Sequence, residues 1–153
     1  MSACRHSHFE VGFCLLIAVG LWAGSFSERI LGNPPCAWCQ LQRLTMLATG
    51  LAFQLNLRCG FQRVHYLLAV LFASSGAGVA YSQWALHPNI VWGLGSALYP
   101  WSAVLHSTLA LYAICGCLTG GRLEQKTSAP VPEASFLGLL ATAGLVAWSI
   151  FSG

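Results

Sequence analysis

Charge is what this sequence has least of: 7 Lys and Arg and 4 Asp and Glu in 153 residues, so that 7% of the chain is charged while 56% is hydrophobic. Ordinary soluble domains are about a quarter charged, and no water-soluble fold hides so much apolar surface. The same shortage excludes a nucleic-acid surface, because the formal net charge of +3 is scattered along the chain and forms no basic stripe. Metal-binding spacing is missing too. Beyond one Cys-x-x-Cys, at Cys36 and Cys39, the cysteines and histidines show no finger or ribbon pattern.

What is present in their place is a series of charge-free runs. Val11 to Ser27, Leu44 to Leu57, Val64 to Gly121 (histidine counted neutral) and Ala134 to Gly153 carry no charged side chain. A helix crossing the hydrocarbon needs about 20 mainly apolar residues. The runs therefore predict an all-α integral membrane bundle, a single membrane domain over 1–153, with transmembrane helices at about 11–27, 36–57, 64–84 and 134–152. The first run resembles a signal peptide, with Arg5 before it and Ala23, Gly24 and Ser25 near its end, but the later apolar runs favour a retained helix.

Loops fall at Glu28 to Pro35, Arg58 to Arg63, His87 to Pro100 and Gly120 to Glu133. Arg5 and the Arg58/Arg63 loop lie two crossings apart, and the positive-inside rule places both in the cytoplasm. Cys36 and Cys39 are then extracytoplasmic. The segment Trp101 to Leu118 has 18 residues without a charge, close to the minimum for a span. Two topologies follow. In one, 101–118 lies on or in the membrane surface and the bundle has four helices; in the other it is a further span, giving five, with Arg122 and Lys126 inside.

Helix two cannot lie only between its arginines, since the 14 residues from Leu44 to Leu57 reach about 21 Å at about 1.5 Å each. It must begin before Arg43. Extended back to Pro35, it starts on a residue that has no N–H to lose, and its first turn holds the Cys-x-x-Cys. Two cysteines so placed share a face, within reach of a disulfide, and the free N–H groups of the turn favour a thiolate. Arg43, four residues beyond Cys39, is one turn deeper on that face. A guanidinium there lowers the cost of a Cys39 thiolate and can hold the carbonyl oxygen of a lipid-soluble oxidant. Two plainer readings stay open: Arg43 snorkels to water, or Cys36 and Cys39 are a structural disulfide or half of a zinc clip completed by His87 and His106 or by Cys115 and Cys117. The oxidising compartment favours redox use.

The string Gly32-Asn33-Pro34-Pro35-Cys36-Ala37-Trp38-Cys39-Gln40-Leu41-Gln42-Arg43 resembles the signature of the disulfide bond formation protein B family. Members of that family are bacterial inner-membrane helix bundles that reoxidise a periplasmic thioredoxin-like dithiol oxidase and pass the electrons to ubiquinone or menaquinone. The resemblance implies that Cys36 and Cys39 are the quinone-proximal redox pair and Arg43 the quinone-contacting arginine, with no metal and no nucleic acid. Cys36 would be the partner-side sulfur. The family's second, widely spaced cysteine pair has no counterpart here: Cys115 and Cys117 are only two apart in an apolar run, either a shifted second pair or structural thiols. A bundle of the vitamin K epoxide reductase type, with electrons flowing the other way, fits the same residues.

The remaining residues read more simply. His87 lies near the outer end of helix three, where it either anchors or faces a quinone oxygen. Trp22, Trp38, Trp84, Trp92, Tyr99 and Trp101 suit an interfacial aromatic belt. Gly76 and Gly78, among Ala73, Ser74, Ser75, Ala77 and Ala80, make helix three small enough for close packing. Cys4, Cys14 and Cys59 stand alone and receive no role.

Overall fold

The computed structural model describes residues 3–31, 37–86 and 98–119. Cys36, His87, Trp92 and the expected 134–152 helix lie outside the described residues. The described chain is all-α: α1 (Ala3–Leu31), α2 (Ala37–Cys59), α3 (Arg63–Leu86) and α4 (Leu98–Thr119). Three of these contain stretches long and apolar enough to cross a membrane, His8–Phe26, Arg63–Leu86 and Trp101–Thr119.

Successive helices run antiparallel, and the cross-contacts fix the register. Glu10 of α1 meets Asn56 of α2, and the Cys14 thiol faces the Gly50 carbonyl. Gln42 of α2 meets Gln83 of α3, while Tyr81 of α3 meets Ser107 of α4. One end of the bundle is therefore marked by Cys39 and the other by Glu10. In α1 the buried stripe is Glu10, Cys14, Ile17, Leu21 and Ser25, at spacings of four and three that follow the helical period.

The helix α1 is longer than its apolar run. Its 29 residues span about 44 Å, against a hydrocarbon core about 30 Å thick. It extends beyond the expected 11–27 at both ends and takes in Glu10, which is fully buried against Tyr66 and Asn56. The helix α2 begins well before Arg43 and has Cys39 in its first turn.

The turn from α2 to α3 is short. Gly60 takes φ of 88°, a left-handed conformation that glycine adopts without strain. The backbone N–H of Gln62 then donates to the Asn56 side-chain oxygen at 3.3 Å, and the Gln62 carbonyl receives the first N–H groups of α3.

Packing of α3 on α4 depends on two glycines. A Cβ on Gly76 would collide with the His106 ring and the Thr45 hydroxyl, and one on Gly116 would collide with the Tyr66 ring. Gly78 is different. It is exposed and a Cβ there would meet nothing, so the close-packing role expected for both glycines falls to Gly76 alone, with Ala69, Ala73 and Ala80 buried along the same face. Between the two ends, Phe13, Phe53 and Tyr112 form an aromatic cluster with ring centroids 4.6 to 6.2 Å apart.

The burial pattern is that of a lipid-facing molecule. Leu15, Leu16, Val19, Leu67, Leu71, Val104 and Leu111 point outward, whereas Gln42, Arg43, Thr49, Gln54, Asn56, Gln83 and His106 are buried. Trp22, Trp38, Trp84 and Trp101 are exposed, as anchors of an aromatic belt need to be.

Candidate functional site

Cys39 is half-buried in the first turn of α2 and belongs to a disulfide. Cys14, Cys59, Cys115 and Cys117 are free thiols, so the second sulfur lies outside the described residues. One turn deeper, Arg43 is buried at 8% exposure. Its guanidinium lies along α1 at Gly24, where a methyl group would sit 3.6 Å from Nη2 and 3.7 Å from Nε. Arg43 therefore does not reach out to solvent in the manner of a snorkelling residue: it is folded into the α1–α2 contact, at the same end of the bundle as the disulfide.

Around Cys39 a chain of hydrogen bonds joins three helices. The Gln83 amide N–H of α3 points at the Cys39 sulfur, at 3.7 Å. The Gln42 amide N–H donates to the Gln83 side-chain oxygen at 2.6 Å, and the Ser102 hydroxyl of α4 donates to the Gln42 side-chain oxygen at 2.8 Å. His106 closes the deep side. Its Nδ1 lies 2.8 Å from the Ser102 carbonyl and its Nε2 3.3 Å from the Thr45 hydroxyl. A carbonyl can only accept, so Nδ1 carries a proton. Thr45 in turn donates to the Gln42 backbone carbonyl at 2.9 Å.

None of Gln83, Ser102, Thr45 or His106 is conspicuous in the sequence as a partner of the cysteines, and His106 drew attention only as a zinc ligand. Its two ring nitrogens face Ser102 and Thr45 instead. Cys115 and Cys117 are also placed far from the site. They flank Gly116, which packs on Tyr66 at the Glu10 end, whereas Cys39 marks the opposite end. The residues that the structure brings together are thus Cys39, Arg43, Gln42, Gln83, Ser102 and His106.

A lipid-facing helical bundle with a disulfide mounted at one end, on a polar interior, defines an integral membrane protein built around a disulfide. The family model described as "Disulfide bond formation protein DsbB" matches residues 7–150. Two similar proteins are both named disulfide bond formation protein B. That of Marinobacter nauticus is 31% identical over 155 aligned residues, covering 91% of this chain and 90% of that protein. That of Stutzerimonas stutzeri is 27% identical over 150, covering 92% and 89%. No solved structure matches. The chain belongs to the disulfide bond formation protein B family, and is a helical membrane protein of disulfide bond formation.

Proposed function

We propose that this protein is a quinone-linked thiol–disulfide oxidoreductase of the bacterial inner membrane, with Cys36 and Cys39 as its redox pair on the periplasmic side. The observation that carries the reading is the disulfide at Cys39, in the first turn of α2, one turn above the buried Arg43. A structural clip needs no cation beneath it. An electron-transferring pair does, because reduction leaves negative charge on sulfur and a guanidinium offsets it.

The exchange half-reaction balances without outside groups. A thiolate of a periplasmic thioredoxin-like dithiol oxidase attacks the Cys36 sulfur and forms a mixed disulfide, and the Cys36–Cys39 bond breaks with its electron pair on Cys39. The second thiol of the partner then attacks its own sulfur in the mixed disulfide and releases Cys36. The partner leaves oxidised, and Cys36 and Cys39 hold the two electrons.

Ubiquinone or menaquinone, when bound, supplies an acceptor for two electrons and two protons. The donor set suits it: Arg43 offers a planar fork of N–H groups to a carbonyl oxygen, and Trp38, exposed beside Cys39 in the same turn, offers a flat apolar face. The roles assigned to the chain are that Arg43 holds the acceptor's oxygen and that Cys39 is the sulfur next to it.

On topology, we read α4 as a crossing. It is antiparallel to α3 over its length, which supports five spans if 134–152 forms the last, with Arg122 and Lys126 in the cytoplasm. Cys115 and Cys117 then lie on the cytoplasmic side and cannot meet a periplasmic partner. One cysteine pair performs both half-reactions.

The test is reduction of ubiquinone and menaquinone by purified protein, supplied with a reduced dithiol oxidase. Cys36→Ser and Cys39→Ser should each abolish turnover, Arg43→Ala should raise the quinone concentration required, and the Cys115→Ser/Cys117→Ser double variant should stay active. No reduction of either quinone by the wild type would sink the reading and favour a structural disulfide.

A further inference from the structure

We propose that Gln83 is a catalytic residue of the disulfide exchange: its side-chain N–H stabilises the negative charge that collects on the Cys39 sulfur when the disulfide opens, and Gln42 and Ser102 are positioning residues that aim it. The inference rests on the redox reading of Cys36 and Cys39 given above and adds groups from α3 and α4 to a site that the motif places on α2 alone.

The amide of Gln83 is buried, at 3% exposure. A buried amide has a fixed set of partners, and each end must find one. Its oxygen accepts from Gln42 at 2.6 Å, which leaves its nitrogen toward Cys39 at 3.7 Å. Gln42 is held in turn, since its oxygen accepts from Ser102 at 2.8 Å and so its nitrogen must face Gln83. The orientation of one amide thus dictates the next.

The opposite orientation of both amides is the competing arrangement. It would turn the Gln83 oxygen toward a sulfur that has no proton to give, either as a disulfide or as a thiolate, and would set two electron-rich atoms against each other. Charge on Cys39 therefore selects the arrangement with N–H toward sulfur. Ser102 supports it from a distance, on a hydroxyl fixed within one turn of His106, whose Nδ1 binds the Ser102 carbonyl.

In the exchange step, electrons and atoms balance as before. The partner's thiolate forms a bond to the Cys36 sulfur, the Cys36–Cys39 bond breaks, and the electron pair goes to Cys39. A neutral hydrogen bond to a weak sulfur acceptor becomes a charge-assisted bond to a thiolate, which is the stronger kind. The interaction is larger after bond cleavage than before it, so it favours the step and not merely the resting state.

The experiment needs neither quinone nor partner. The protein is chemically reduced in detergent, and iodoacetamide alkylation of each cysteine, which proceeds through the thiolate, is followed by mass spectrometry at about pH 6. The rate at Cys39 is divided by that at exposed Cys59, and buried Cys14 reports on folding. Gln83→Met should lower the Cys39/Cys59 ratio about ten-fold, as expected for loss of a hydrogen bond to a charged group. Ser102→Ala should lower it by a smaller factor, about two- to three-fold, because the amides can then turn over. An unchanged ratio in Gln83→Met overturns the proposal. If that variant exposes Cys14, Gln83→Asn decides instead: drawn back by one methylene, its amide should slow Cys39 as well, and an unchanged ratio there overturns the proposal equally. Failure of wild-type quinone reduction would remove the functional reading and leave this measurement legible by itself.

Discussion

A methyl group added at Gly76 tests the fold at the point where three helices come closest. The Cβ of Gly76→Ala would overlap the His106 ring of α4 and the Thr45 hydroxyl of α2. Neither can swing aside freely. His106 is fully buried and held through Nδ1 by the Ser102 carbonyl, and Thr45 is 8% exposed and bonded to the backbone of its own helix. Overpacking of this kind costs about 1–3 kcal/mol, and the loss of one hydrogen bond as His106 retreats adds about 1 kcal/mol. A total of about 2–4 kcal/mol corresponds to a fall in Tm of roughly 4–16 °C for a chain of this size. The assay is thermal unfolding in detergent, read by a thiol-reactive dye as buried Cys14 (1% exposed) becomes accessible above the background of Cys59 and Cys115. Gly78→Ala is the control. It lies two residues away in the same helix, its new methyl meets nothing, and alanine's better helix propensity should leave it neutral or slightly stabilised. Equal melting of the two variants would refute the packing argument.

Two further predictions concern the opposite end and the topology. Glu10→Ala should cost about 2–6 kcal/mol, because it strands both the Tyr66 hydroxyl and the Asn56 amide without an acceptor, while Glu10→Gln keeps a carbonyl oxygen and should cost less than about 1.5 kcal/mol; the same melting assay orders them, and equal losses would show that the two bonds carry no weight. In spheroplasts, a membrane-impermeant maleimide should label reduced Cys36 directly but reach Cys59 and Cys115 only after permeabilisation, and labelling of Cys115 together with Cys36 would refute the reading of α4 as a crossing.

The sequence made the architecture legible because membrane helices announce themselves by what they omit: α3 (Arg63–Leu86) and α4 (Leu98–Thr119) occupy the one charge-free run from Val64 to Gly121, whose length exceeds a single span. The start of α2 was legible for a different reason, a length argument: a helix confined between Arg43 and Arg58 is too short, so Cys39 had to enter the first turn. Glu10 lies just before the charge-free run, and nothing local in the sequence reveals that Tyr66 and Asn56, far along the chain, enclose it. Gly76 and Gly78 look equivalent in sequence, yet two residues turn a helix by about 200°, so one faces α4 and the other faces lipid. Around Cys39, the motif contains Gln42 but not the residues that give it a direction. Gln83 and Ser102 are 41 and 60 positions away from it, on helices whose periodicity shows only that they are apolar, and no local spacing links them.

The placement of α2 ties these observations together. Its buried residues include Gln42, Arg43, Thr45, Thr49, Gln54 and Asn56, and it is not among the stretches apolar enough to cross a membrane by composition. Exposed to hydrocarbon, such side chains would each be costly. The bundle removes the problem by packing α1, α3 and α4 against the polar side of α2, leaving Leu41, Leu44, Leu51 and Leu55 to face outward. Helix association in lipid gains little from apolar burial and much from close packing and interhelical hydrogen bonds. The polar face of α2 is therefore both what holds the other three helices in register and what presents Arg43 and Gln42 beneath Cys39. A substitution that makes that face apolar would raise the tendency of α2 to insert by itself while removing the bonds to Gln83 and Ser102 that give the helix a defined rotation, so stability of insertion and geometry at the sulfur pull in opposite directions.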